Sequence, residues 1–404
     1  MQQSRRGFIV IALIVIITLT TLAFVLIERY YYESTDFESM QIKRAKQLDS
    51  LPKNAKIKIG VTWPFFLDKG DNYFREGINL ALKHINQEKL LEREIEVIFA
   101  DDKWEKEDAL SIAYDFANDP EVVAVIAHDD SVLAIPASII YEYAHVVMVS
   151  PAVSDPNFTR VNFDYIFRNT PSDVDIGNRL ASLSALMNLK KVAVINAKNS
   201  YSRSLAKIYT KEVLNLGSQV IYTAEFNEDE PNFSRILTHL SPQVNTNIDY
   251  DAIFIASYEE NGMTFIKEAR KQGIYSPILT GDMLDGNAIL EAGEEMNGAI
   301  VASIYNAQLL NDKTQDFIDQ FKKEYKRLPD TWAAQGYDAM MLLAYAIKKT
   351  GSLNTRKISD TLKYTRNYES IFGKYSLNER GDIEGREIYF KMVLSGKFKY
   401  LYFE

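Results

Sequence analysis

From Val122 to Thr159 the chain reads VVAVIAHDDSVLAIPASIIYEYAHVVMVSPAVSDPNFT, and this stretch narrows the possible folds more than any other. Val122–Ala127 is a continuous apolar run, as expected of a strand buried on both faces of a parallel sheet. The chain turns polar at His128-Asp129-Asp130-Ser131, continues as a helix to Ala144, and returns to an apolar strand over Val146–Val149. A second polar loop follows, Ser150-Pro151-Ala152-Val153-Ser154-Asp155-Pro156. Two neighbouring strands thus deliver two hydroxyl-bearing loops to one edge of one sheet, the edge where open α/β sheets bind ligands. Ser131 then sits near a helix N-terminus, where backbone N–H groups and the helix dipole attract an anion such as a carboxylate. Ser131 and Ser154 also read as simple helix caps or turn residues.

The same alternation extends along the chain. Lys56–Val61 and Glu94–Ala100 read as strands, with helices over Phe74–Gln87, Glu105–Asn118 and Val132–Ala144 between the strands. Strand-like runs resume at Val192–Asn196, Gln219–Phe226, Ala252–Ser257 and Ala299–Ile304, and helices at Thr314–Tyr325 and Trp332–Lys349. Strands alternating with helices mean βαβ units, right-handed crossovers and a parallel sheet. About 350 residues in this pattern suggest two domains. The tail Phe372–Phe403 alternates as short strands with turns at Asn378–Gly381 and Gly396.

The N-terminus bears on location. Gly7–Ile27 is an uncharged run of 21 residues, long enough to cross a bilayer as a helix. Arg5 and Arg6 precede it, which predicts a cytoplasmic N-terminus and an exported remainder. No small-residue cleavage pattern follows, so residues 1–28 are expected to form an uncleaved anchor, with 29–54 as a stalk. A cleaved leader is the competing reading. The chain has no cysteine, which rules out a lipid-modified cysteine tether, disulfides and thiolate metal sites. A net charge of −9 argues against a nucleic-acid binder.

Several short motifs then occur in a telling order. They are Ile57–Val61, Gly77–Ala81, Asp101-Asp102, Ser131 with Pro136-Ala137, Ser150-Pro151-Ala152 and Phe167-Arg168. Lys191–Ile195, Tyr201, Phe233-Ser234 and Glu268-Ala269-Arg270 with Gly273 follow. In order and spacing, from about Lys56 onward, the chain resembles the type I periplasmic binding proteins of the leucine/isoleucine/valine-binding family, the substrate-binding components of amino-acid ABC transporters. The resemblance implies an α/β clamshell of two doubly wound parallel-sheet lobes joined by three crossovers. Lobe one is expected at 55–171 plus 305–375 and lobe two at 172–304 plus 376–404, with the ligand in the cleft between them.

A free amino acid is a zwitterion, and burying it requires donors for the carboxylate and acceptors for the ammonium. The resemblance assigns the carboxylate to Ser131 and Ser154. It assigns the ammonium to the carbonyl of Ala152 and to Asp282, which also reads as a turn or capping residue. Tyr201 matches a tyrosine that closes over the ligand in relatives. Tyr258 and Trp63 are possible aromatic walls from opposite lobes, or packing residues. Asp129 and Asp130 stand where relatives more often carry small or neutral residues. Asp155 and Asp285 add acid to the other loops. These carboxylates either cap helices or turn the site toward a cation.

No catalytic, cofactor or metal-binding motif is apparent. The four histidines are scattered, and neither a nucleophile elbow nor a phosphate loop is present. The resemblance implies extracytoplasmic capture of a small amino acid or amino-acid-like metabolite for an ABC importer, with a cationic or amide-type small molecule as the alternative. The expected partner is an ABC permease or, alternatively, a membrane signalling protein that reads ligand occupancy.

Overall fold

A computed structural model describes residues 20–21, 36–67, 72–89, 93–244 and 248–402. The span expected at Gly7–Ile27 falls outside these residues apart from Thr20 and Thr21, which are helical. Among the described residues no helix is long and apolar enough to cross a membrane.

Two sheets organise the rest. The first is built from β1 (Ile57–Trp63), β2 (Ile95–Asp101), β3 (Val122–Ile126), β4 (Val147–Ser150) and β5 (Ile166–Arg168). Its order is β2-β1-β3-β4-β5, and all its pairings are parallel. Every residue of β3 and β4 is buried, as their unbroken apolar runs require. The second sheet uses β6 (Lys191–Ala197), β7 (Gln219–Phe226), β8 (Ala252–Ala256), β9 (Ile278–Thr280) and β10 (Ala299–Ser303), with β14 (Tyr389–Leu394) and β15 (Lys397–Leu401) on its edge. Its order is β15-β14-β10-β9-β8-β6-β7. The β14 and β15 pairings are antiparallel, and β14 and β15 are joined as a hairpin, a connection that only antiparallel strands allow. β5 and β9 each have only three residues, too short to show a period in the sequence.

Each sheet has its own core. Val61, Phe74, Val149 and Met340 belong to the first, and Phe254, Leu279 and Ile300 pack with Tyr209 on one face of the second. Gly77 permits the tightest helix contact of the first core. A Cβ there would lie 2.0 Å from the carbonyl oxygen of Ala333 in the helix Thr331–Thr350. A small antiparallel sheet, β11 (Tyr368–Ser370), β12 (Gly373–Leu377) and β13 (Ile383–Glu384), also joins this side. Leu377 and Ile383 lie in the first core, so the chain returns to the second sheet several residues after the boundary expected at 375.

The segments linking the two sheets meet at one side chain. Arg386, just after β13, donates to the carbonyls of Asn169 and Ile304, the latter at 2.8 Å, and to Oε1 of Gln335 at 2.7 Å. Asn169 follows β5 and Ile304 follows β10, so one guanidinium binds all three connections.

Of the segment expected as a partly helical stalk over 29–54, residues 36–54 are described. Phe37–Ser50 is a helix packed on the first lobe, with Met40, Arg44 and Leu48 buried. The Arg44 guanidinium donates to the carbonyls of Phe116 (3.1 Å), Ala117 (2.8 Å) and Asp119 (3.1 Å). These carbonyls end the helix Lys106–Asn118, and a helix C-terminus favours a cation.

Candidate functional site

The loop after β3 is fixed by its own carboxylates. Asp130, not Ser131, caps the helix Ser131–Tyr143, its Oδ1 accepting from Val132 N–H at 2.7 Å. Ser131 is therefore the first helical residue, buried at 3% exposure, with its hydroxyl not needed as the cap. The other Asp130 oxygen accepts the hydroxyl of Tyr258 from the second lobe. Both oxygens of Asp130 are thus occupied by the protein. His128, at the root of the same loop, is fully buried and paired with Asp102 at 2.7 Å, which makes it a packing residue.

The loop after β4 is held from below. Ser150 Oγ donates to His128 O at 3.3 Å and accepts from Val153 N–H at 3.1 Å, joining the two loops. The buried Arg168 donates to Val153 O (3.0 Å) and Asp155 O (3.1 Å) and is itself held by Asp382 at 2.6 Å. Gln335 reaches Pro151 O at 2.5 Å. Ala152 and Ser154 are carried on this braced turn, 8% and 2% exposed.

From the second lobe, Tyr201 follows the cap Asn199 and donates its hydroxyl to Asp282 Oδ1 at 3.1 Å. Gly281 makes room for this approach, since a Cβ there would lie 2.3 Å from the Tyr201 oxygen. Burial pushes the Asp282 carboxyl up to about 6, while its own backbone and the Tyr201 hydroxyl pull it partly back. Tyr258 stacks on Tyr201 (centroids 6.3 Å apart) and on Trp104 of the first lobe (5.9 Å). Ser200 Oγ donates to Asp155 as a second contact between the lobes.

Sequence reading missed Asp173. It is the first residue of the helix Asp173–Leu186 and is fully buried. Neither carboxylate oxygen has a partner in good hydrogen-bond geometry, although the Ser154 and Ser204 hydroxyls lie beside it. Burial, with the negative charges of Asp282 and Asp155 adding to it, raises its carboxyl to about 7. Asp173 thus lies between Ser154 of one lobe and Asp282 of the other.

The structure separates two other residues from the cleft. Trp63 stacks on Phe74 (3.9 Å) within the first core and packs beside Trp332 (5.7 Å). Asp285 is neutralised by Lys391 at 2.8 Å and accepts from Ser303 and Thr331, each at 2.6 Å. Among the described residues no group of three or more potential ligands could hold a metal ion.

Such an arrangement can hold a small molecule with an anionic end against the first-lobe loops and a cationic end against Asp173 and Asp282. A family model described as periplasmic binding protein matches residues 56–391. The Leu/Ile/Val-binding protein homolog 1 of Brucella abortus is 26% identical over 81% of this chain and 88% of its own length. An ABC transporter substrate-binding protein of Desulfitobacterium hafniense, solved in complex with Leu, is 31% identical, covering 86% of this chain and all of that one, with a TM-score of 0.78. A leucine binding protein from Thermotoga maritima is 26% identical over 86% of this chain and 98% of its own, with a TM-score of 0.77.

Proposed function

Because the chain belongs to the periplasmic binding protein family, we propose that it captures a free amino acid between its lobes outside the cytoplasm and presents it to an ABC permease. Two named relatives, the Brucella and Thermotoga proteins, carry amino acids in their names. The observation that carries the reading here is the pair Asp173 and Asp282. Two buried carboxylates raised by burial are costly unless a cation pairs with them, and an ammonium group answers that need. Ser131, Ser154 and the N-terminus of the helix Ser131–Tyr143 receive the carboxylate, and the Ala152 carbonyl adds an acceptor for the ammonium. Tyr201 and Tyr258 close the second-lobe side, and Asp130 ties the lobes through Tyr258. On this reading lobe one is 55–171 with 305–384, lobe two is 172–304 with 385–402, and residues 1–28 anchor the protein.

A thermal-shift panel of the twenty amino acids tests the proposal. A ligand at about 100 times its dissociation constant adds about 2.7 kcal/mol of stability. A panel without a single stabilising amino acid would sink the reading.

A further inference from the structure

Resting on that amino-acid reading, one carboxylate of the cleft is left without a task. Asp173 and Asp282 suffice for a single ammonium, Asp130 is occupied on both oxygens, and Asp155 accepts from Ser200 and Asn157. Asp129 is different. Its Oδ2 accepts from the Trp104 indole N–H at 2.5 Å. Its Oδ1 is shut off from solvent and has no hydrogen-bond partner.

The surroundings of Asp129 are those of a cation receptor. Trp104 holds one oxygen and stacks its ring on Tyr258, which stacks in turn on Tyr201. Tyr258 comes from the second lobe, so the Trp104 that holds Asp129 is in contact with a residue of each lobe. Aromatic faces beside a carboxylate oxygen closed off from solvent attract an ammonium or guanidinium group. The charges acting most strongly on Asp129 are those of Asp102 and Asp130, both negative. They raise its carboxyl further above the range that burial already sets.

We propose that the solute carries a second cationic group on its side chain, as lysine, ornithine and arginine do, and that Asp129 receives it beneath Trp104 and Tyr258. The α-ammonium then lies at Asp173 and Asp282, the α-carboxylate at Ser131 and Ser154, and the side chain runs toward the mouth of the cleft.

Calorimetric titration of the full-length chain with lysine, ornithine, arginine, leucine and alanine tests this directly. At least one basic amino acid should bind ten-fold or more tighter than leucine. Asp129→Asn should weaken that ligand at least ten-fold while leaving leucine unchanged or slightly tighter. Trp104→Phe, which keeps a ring and removes the indole donor, should weaken the basic ligand less than Asp129→Asn does. Leucine or alanine binding tighter than every basic amino acid would overturn the proposal and leave the amino-acid reading standing. An Asp129→Asn protein that holds the basic ligand as tightly as the parent would overturn it in the same way. Binding of none of the five would overturn the proposal, and silence across the wider panel would remove the amino-acid reading as well.

Discussion

Tyr258 of the second lobe donates its hydroxyl to the same Asp130 that caps the Ser131–Tyr143 helix of the first. One carboxylate therefore fixes the start of a ligand-facing helix and ties the lobes together. The neighbouring Ser200 to Asp155 bond repeats the arrangement with a hydroxyl from the second lobe and a carboxylate from the first. Both bonds run between the two lobes, so a rotation that parts the lobes breaks them.

Tyr258→Phe should favour the open form. A hydrogen bond to a charged group contributes about 1.5–3 kcal/mol, so ligand affinity should fall roughly ten- to a hundred-fold. The chain has no cysteine, so cysteines introduced at the exposed Glu107 and Glu260 give a clean pair for spin labels across the cleft. Ligand should shorten the distance in the parent, and the variant should need more ligand for the same shortening. Affinity and distance both unchanged would show that the bond plays no part in closure.

Within the site, Asp282→Ala should cost more than Ser154→Ala. Truncating one partner of a desolvated charge pair costs about 2–5 kcal/mol, and losing one hydrogen bond to a charged group about 1.5–3. Titration of both variants with the best ligand of the panel checks the order. An Asp282→Ala protein that binds like the parent would remove the ammonium from that residue.

The raised carboxyls set a pH dependence. Asp173 stands at about 7 and Asp282 at about 6 in the folded chain, and Asp330 is raised to about 7 by the same burial. Unfolded, such groups titrate near ~3.9. Between about pH 4 and 7 the folded chain holds protons that the unfolded chain has released, so stability falls as pH rises. The ligand-free protein should melt at a lower temperature at about pH 8 than at about pH 5.5, and Asp173→Asn should flatten that slope. Affinity for an ammonium ligand should run the other way, strengthening as these carboxylates ionise. A ligand-free melting temperature that climbs across this range would contradict the assignment.

Much of this architecture is written in the sequence, for a physical reason. Strands of a covered parallel sheet are apolar on both faces, so β3 and β4 stand out as unbroken runs. The site is harder to read. Ser172 and Asp175 form a capping box at the start of the helix Asp173–Leu186, so Asp173 between them looks like an ordinary first-turn acid. Only tertiary burial makes it exceptional. Asp130 and Ser131 are both good capping residues, and the choice between them depends on which hydroxyl and which carboxylate the other lobe demands. Trp63 follows a strand, as a cleft residue would, yet Phe74 and Trp332 claim it for the core. The docking of the helix Phe37–Ser50, rather than its helicity, was hidden because its buried stripe, Met40, Arg44 and Leu48, has a charged residue in the middle.

Arg44→Ala tests that stripe. It removes the donors to the carbonyls of Phe116, Ala117 and Asp119 and should lower stability by about 2–4 kcal/mol, read from the urea midpoint. Arg44→Met, which keeps the apolar stem, should recover part of the loss. Limited proteolysis should cut the alanine variant faster between residues 36 and 56. Equal cutting rates in parent and variant would show that Arg44 does not hold the helix down.

The docked helix also ties residue 36 to one lobe and not to the pair. Whatever holds the chain at residue 36 holds the first lobe with it, because Met40, Arg44 and Leu48 fasten the helix there. When the cleft opens, the first lobe is the frame and the second lobe is the hand of the gauge. If ligand turns one lobe against the other, a partner fixed in the same frame as residue 36 meets one stationary face and one that swings, and the difference between occupied and empty protein is written on the second.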